Sequence, residues 1–247
     1  MLMPYGAVAP GATIHLGVRV HLADHWHTYW INPGDSGMPP RVAWRTPPGL
    51  AVGGLQFPVP RRIDTPPFVT FGYEGDIVFP VEVQVPEGAQ PGSELTLSGT
   101  MRWLICKDIC IPRKTELTCT LRVGTETLVA HAQQQARIEE ALALVPREHA
   151  EWSFSASVDA VAAQLRVRPP ADVDAAVLEK SMFFPEARGF IDYQSKPQWR
   201  HDGTDHLLML KRSGEADLGG PVLRGALLVR QDERAPIVLS VAADVNK

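Results

Sequence analysis

Three cysteines in 247 residues are too few for a disulfide scaffold, and their odd number leaves one thiol over. No apolar run approaches the ~20 residues that span a bilayer. The opening Met1-Leu2-Met3-Pro4-Tyr5 lacks the charged segment and long apolar core of a secretory leader. The expectation is a soluble chain, either cytosolic or a stretch whose targeting segment has been removed. Cations are scattered rather than clustered, 24 Lys and Arg against 28 Asp and Glu, for a net charge of −4. That balance excludes the electrostatic footprint of a nucleic-acid binder. There is no G-x-S-x-G elbow, no H-E-x-x-H and no P-loop, which excludes the common hydrolase and nucleotide chemistries. The six methionines are dispersed, so no soft-metal cluster is built from them.

What the chain does have is alternation. Ile14, Leu16, Val18, Val20 and Leu22 recur at period two, as do Val78, Pro80 and the apolar residues of 81–85, then Leu95, Leu97, Met101 and Trp103, then Leu117, Cys119, Leu121 and Val123. Between them lie turn-rich segments such as 32–37, 47–49 and 86–88. Residues 1–124 therefore read as a β-sandwich. The pattern breaks over 125–144, where Leu128, Ala132, Ala136, Ile138 and Leu142 fall near helical spacing before Pro146. Strands resume at 152–158, 161–167, 206–210, 223–229 and 237–241. With 45% apolar residues the length supports two cores. The expected architecture is mainly β: a first sandwich over 1–124, a helical linker over 125–148 and a second sandwich over 149–247.

The chemistry concentrates in Trp103-Leu104-Ile105-Cys106-Lys107-Asp108-Ile109-Cys110-Ile111-Pro112. Two cysteines four positions apart can form a disulfide. Across a tight hairpin their Cβ atoms would stand about 4.5–5.5 Å apart, against about 3.8 Å for a relaxed bond. Closing so small a loop contributes only about 2 kcal/mol of chain entropy, against about 4.7 kcal/mol for a 100-residue loop. Both points favour a redox couple over a staple. Thiol exchange needs a thiolate, an accessible sulfur and a second thiol, in a cationic setting. Arg102, Lys107, Arg113 and Lys114 supply that setting, and Asp108 opposes it. Cys119 lies on the apolar face with Leu117, Leu121 and Val123 and reads as a core thiol.

Two other readings stay open. The thiolates of Cys106 and Cys110 with the imidazoles of His25 and His27 would make a Cys2His2 set for zinc, or a thiolate pair for copper(I). Against this, Trp26, Tyr29 and Trp30 make a half-buried aromatic strand an equally simple account of the histidines. The pair could also be a structural disulfide in a non-enzymatic interaction sandwich. A further segment, 68–75, is aromatic and glycine-punctuated after Pro66-Pro67, and reads either as an exposed loop that shields a reactive site or as a hairpin with packed aromatics.

Together, Trp26-His27-Thr28-Tyr29-Trp30 with Asn32-Pro33-Gly34-Asp35-Ser36-Gly37, the Phe71-Gly72-Tyr73-Glu74-Gly75 segment and the Cys106/Cys110 stretch resemble the periplasmic N-terminal region of DsbD-type thiol:disulfide interchange proteins. The resemblance covers roughly 10–125 and is strongest to the suppressor-of-copper-sensitivity (ScsB-like) branch, in which the cysteines stand closer together and a second β domain follows. It implies immunoglobulin-like sandwiches and a protein-disulfide reductase that is one domain of a larger inner-membrane protein. Such a module needs no cofactor or metal. It takes reducing equivalents from the membrane-embedded and thioredoxin-like domains of that protein and delivers them to thioredoxin-fold partners in the periplasm. It further implies that Cys110 forms the mixed disulfide, that Cys106 resolves it, and that a cap of Phe68, Phe71, Tyr73 and Glu74 covers the pair.

Overall fold

The structure, a computed structural model, describes residues 1–202, 205–214, 218–231 and 234–246. It is mainly β. The strands in chain order are β1 (Tyr5–Ala7), β2 (Thr13–His21), β3 (His27–Gly34), β4 (Arg41–Arg45), β5 (Ala51–Val52), β6 (Arg61–Thr65), β7 (Phe68–Glu74), β8 (Asp76–Gln84), β9 (Glu94–Cys106), β10 (Cys110–Arg122) and β11 (Leu128–Val129). Helix α1 (Ala132–Ala143) follows, then β12 (Ser153–Val158), β13 (Ala162–Arg168), the short helix α2 (Ala175–Glu179), β14 (Met182–Pro185), β15 (Gln198–Asp202), β16 (Asp205–Lys211), β17 (Val222–Val229) and β18 (Ile237–Asn246).

Compactness divides the chain along other lines than the sequence boundaries. One unit comprises Met1–Tyr29, Met38–Pro58 and Tyr73–Val145, and the other Trp30–Gly37, Val59–Gly72 and Pro146–Lys247. In the first, β2 and β8 pair antiparallel, with Leu16 opposite Val81 and Val18 opposite Phe79. The alternation works as expected: Ile14, Leu16, Val18 and Val20 are buried together with Phe79, Val81 and Val83. The helix is shorter than its sequence signal because Leu128 and Val129 pair with β1 instead. Rather than bridging free between domains, α1 belongs to this unit: it buries Ile138 and Ala141 against Val78, and Arg137 Nη1 reaches Asp76 Oδ2 at 3.0 Å. Gly17 permits that approach, since a Cβ there would stand 2.9 Å from Val78 and 3.1 Å from Ile138.

In the second unit a seven-stranded sheet runs β14-β17-β18-β12-β13-β16-β15, antiparallel except where β12 meets β18. Its core includes Leu165, Leu178, Phe184, Phe190, Leu208 and Leu239. Residues from far upstream complete it. Phe71 packs edge-on against Phe184 and Tyr193 at 5.3 and 5.1 Å, and Trp30 meets Phe184 at 6.1 Å. The segment read as a turn at 32–37 is extended as far as Gly34. Asn32, buried, donates from Nδ2 to the Pro185 carbonyl at 2.7 Å and accepts the Gly34 N–H at Oδ1 at 3.0 Å.

Candidate functional site

The site is built on a hairpin. Strands β9 and β10 pair without interruption from Glu94 and Arg122 to Cys106 and Cys110, which stand directly opposite each other. Lys107, Asp108 and Ile109 make the connection, closed by a Lys107 N–H to Ile109 carbonyl bond of 3.3 Å. The structure joins Cys106 to Cys110 in a disulfide, with Cα atoms 4.2 Å apart. The two sulfurs differ in access: Cys106 is 3% exposed, while Cys110 is exposed.

Strand β3 starts beside the cysteines, with His27 the register partner of Cys106 on the edge of β9 away from β10. The Thr28 hydroxyl pins it there, donating to the Leu104 carbonyl at 2.9 Å. Tyr29, two residues on and therefore on the same face as His27, places its Oη 3.4 Å from Cys110 Sγ. A disulfide sulfur carries no proton, so the hydroxyl is the donor. Burial pushes the Tyr29 pKa up to about 12, so this group remains a donor across the working pH range. The His27 ring braces it edge-on at 5.3 Å. Burial lowers the His27 pKa, partly opposed by the Glu74 carboxylate, so its neutral form is favoured.

In the sequence Tyr29 is one aromatic of a half-buried strand, with no chemical role. The available signal was its phase with His27; what was missing was that β3 lies next to β9. The histidines also part company. His25 precedes β3 in a turn, exposed and at φ 68°, whereas His27 is buried at the start of β3, so the two imidazoles of the Cys2His2 reading do not share a strand face. Among the described residues no three His, Cys, Asp or Glu side chains group to hold a metal.

The 68–74 segment is strand β7, paired with β6 through Arg62 and Phe71 and through Asp64 and Val69, not an exposed loop. Its four expected cap residues separate. Phe68 is 52% exposed, and Phe71 is buried in the second unit's aromatic cluster. Tyr73 and Glu74 belong to the cysteine-bearing unit. Tyr73 is buried, its hydroxyl donating to the Pro58 carbonyl at 2.6 Å, while Glu74 is exposed and acts on His27 through its charge. Of the four cations near the cysteines, Lys114 is engaged with Glu116 at 3.2 Å. Cys119 is buried as expected, its thiol directed to the Met3 thioether at 3.3 Å and its pKa pushed up to about 11 by burial.

Residues 1–121 match the family described as thiol:disulfide interchange protein DsbD, N-terminal. No curated protein sequence matches the chain. Among solved structures, the chain is similar to the N-terminal periplasmic domain of ScsB from Proteus mirabilis, at 18% identity and a TM-score of 0.66, over 96% of this chain and 91% of that one. That likeness extends through both halves and carries the fold. With its cysteine pair at the tip of a hairpin, the 1–121 region of this chain is similar to the DsbD N-terminal domains that this family describes.

Proposed function

We propose that the chain is a periplasmic thiol–disulfide exchange module, one domain of a larger membrane protein, that passes reducing equivalents through Cys106 and Cys110 to thioredoxin-fold proteins. The match of residues 1–121 to the DsbD N-terminal family supports the exchange chemistry. One observation carries the residue roles: the disulfide has one buried and one exposed partner, with a hydroxyl donor beside the exposed sulfur.

In the reduced form the Cys110 thiolate attacks one sulfur of the partner's disulfide. That S–S bond breaks, the partner's other sulfur leaves as a thiolate and takes up a proton, and a Cys110–partner mixed disulfide forms. The Cys106 thiolate then attacks Cys110 Sγ. The second partner thiolate departs and the Cys106–Cys110 bond closes, so two electrons have moved to the partner. Re-reduction is the reverse: a donor thiolate attacks exposed Cys110 and expels Cys106. Tyr29 donates to the Cys110 sulfur, a bond that strengthens as negative charge develops there.

The test uses single variants incubated with an oxidised thioredoxin-fold protein and run on a non-reducing gel. Cys106→Ala keeps the attacking sulfur and loses the resolving one, so it accumulates the mixed disulfide, whereas Cys110→Ala traps little. Equal trapping by both variants would overturn the roles. Trapping by neither would leave a structural disulfide or a metal-binding thiolate pair.

A further inference from the structure

We infer that the solvent face of the β4, β9 and β10 strands is a docking surface for an acidic, disulfide-bearing protein segment, which it draws in by charge before the sulfurs meet. This rests on the exchange reading and names the kind of partner that the cysteines meet.

The register builds the surface. Arg41 is the partner of Arg102, and Arg102 of Lys114, so three cations form one row across three strands. Counting along β9 and β10 in steps of two, the same face carries Leu104 with Pro112 and then Cys106 with Cys110. All three cations are exposed. Lys114 and Arg45 share Glu116, at 3.2 and 3.1 Å, but among the described residues neither Arg41 nor Arg102 has an ion-pair partner. Like charges directly opposite destabilise a sheet, so the fold gains nothing from setting Arg41 against Arg102.

The local balance runs against that of the whole chain. On this face, 41–45, 98–106 and 110–118 carry Arg41, Arg45, Arg102 and Lys114 against Glu116, in a chain of net charge −4. At the tip, Ile109 is 68% exposed where turn chemistry favours Gly, Asn or Asp. An apolar knob beside an exposed sulfur, backed by a cationic row, fits a partner with an apolar contact next to its disulfide and carboxylates further out. Four residues of strand set the row about 13 Å from the cysteines. That is near the Debye length of ~10 Å at 0.1 M salt, so the attraction acts on approach and fades as salt rises.

The experiment uses the reduced protein and cysteine peptides activated as thiopyridyl disulfides, with Glu, Gln or Lys flanking the cysteine. The Cys110 thiolate attacks the peptide sulfur and expels the pyridine thiolate, which absorbs as the thione. Cys106 then displaces the peptide thiolate and closes the protein disulfide. At low salt the Glu peptide should react about tenfold faster than the Lys peptide, and the ratio should approach one at high salt. Arg41→Gln with Arg102→Gln should remove most of that ratio, and Arg41→Glu with Arg102→Glu should invert it. The rate with uncharged dithiodipyridine, measured on each variant, corrects for any change in the thiolate itself, so the Glu-to-Lys ratio reads docking alone. Equal rates for the three peptides, or a ratio that survives the double variants, would overturn the docking surface while leaving exchange intact. No reaction with dithiodipyridine would sink the exchange reading and this inference with it.

Discussion

At the tip of the β9–β10 hairpin Cys110 is exposed, bonded to Cys106 and touched by a hydroxyl; nine residues along the same strand Cys119 is buried against Met3. The two positions lie about 30 Å apart along β10. Nine is odd, so in an uninterrupted strand they face opposite sides: Cys119 joins Leu117 and Leu121 in the core, and Cys110 joins the solvent face. One residue type on one strand thus has two chemistries. Burial holds the Cys119 thiol protonated, with a pKa pushed up to about 11, and a thiol is neither nucleophile nor soft ligand until it ionises. The stem serves stability, and the tip is where the proposed exchange takes place.

The widest gap expected between tip and stem is in stability. Met101, 1% exposed on the core face of β9, should cost about 2–5 kcal/mol when cut to alanine, because the lost side chain leaves a cavity in a packed interior. Ile109→Ala, at 68% exposure, should stay within about 0.5 kcal/mol. Urea unfolding of both variants, read as a midpoint shift at constant slope, checks the pair. A large loss at Ile109 would mean that the tip is part of the core and would remove the comparison.

A smaller effect separates the tip from an ordinary exposed disulfide. Tyr29→Phe keeps the ring against His27 and removes only the hydroxyl beside Cys110. A hydrogen bond to a charged group contributes about 1.5–3 kcal/mol, so the Cys110 pKa should rise on losing it. Higher basicity makes a better nucleophile and returns part of the rate, leaving exchange at neutral pH about three- to tenfold slower. A pH–rate profile with a small disulfide reads both changes. An unmoved profile would make Tyr29 a packing residue with no influence on the sulfur.

The hairpin was legible in the sequence because alternation is local: the phase of Leu95, Leu97, Met101, Leu117, Cys119 and Leu121 fixed both the faces and the free thiol. The alternating runs stop at Trp103 and resume at Leu117, so the sequence offers a tight hairpin at the cysteine pair only as a condition, and the register up to Cys106 and Cys110 supplies it. Tyr29 was not, since its role depends on β3 lying beside β9, and strand order across some 75 residues leaves no mark in periodicity. Strand β14 escaped for a different reason. Met182, Phe183, Phe184 and Pro185 form a short apolar run without alternation, buried at three of its four positions, and such a run carries no period to detect. The helical signal over 125–144 overshot because Leu128 and Val129 fit a strand as well as a helix, and β1 was there to pair with them. Nor could composition show that 30–37 and 59–72 group with the second half of the chain. That grouping rests on contacts such as Phe71 with Phe184 and Asn32 with Pro185, which join residues more than a hundred positions apart.

The smallest expected effect is a pH dependence that should mark the tip and spare the stem. His27 is 7% exposed opposite Cys106, and burial lowers its pKa in the folded protein, with Glu74 offsetting only part of the shift. In the unfolded chain the imidazole returns to its ordinary value near 6.5. Between the two values the unfolded state binds more protons, so stability rises with pH there. The contribution is full above about pH 6.5 and declines as pH falls toward the depressed folded value. His206, whose pKa burial also lowers, adds a change of the same sign in the second unit, so the whole protein's slope cannot be assigned to one residue. The difference between wild type and His27→Gln isolates it. Chemical denaturation between pH 5 and 8 should show the wild type losing more stability on acidification than the variant, whatever their offset at pH 8, while the corresponding difference for Cys119→Ser in the stem stays flat. A His27→Gln slope equal to that of the wild type would mean that the imidazole beside the disulfide titrates alike in both states, and that the tip is as open to water on the β3 side as it is at Cys110.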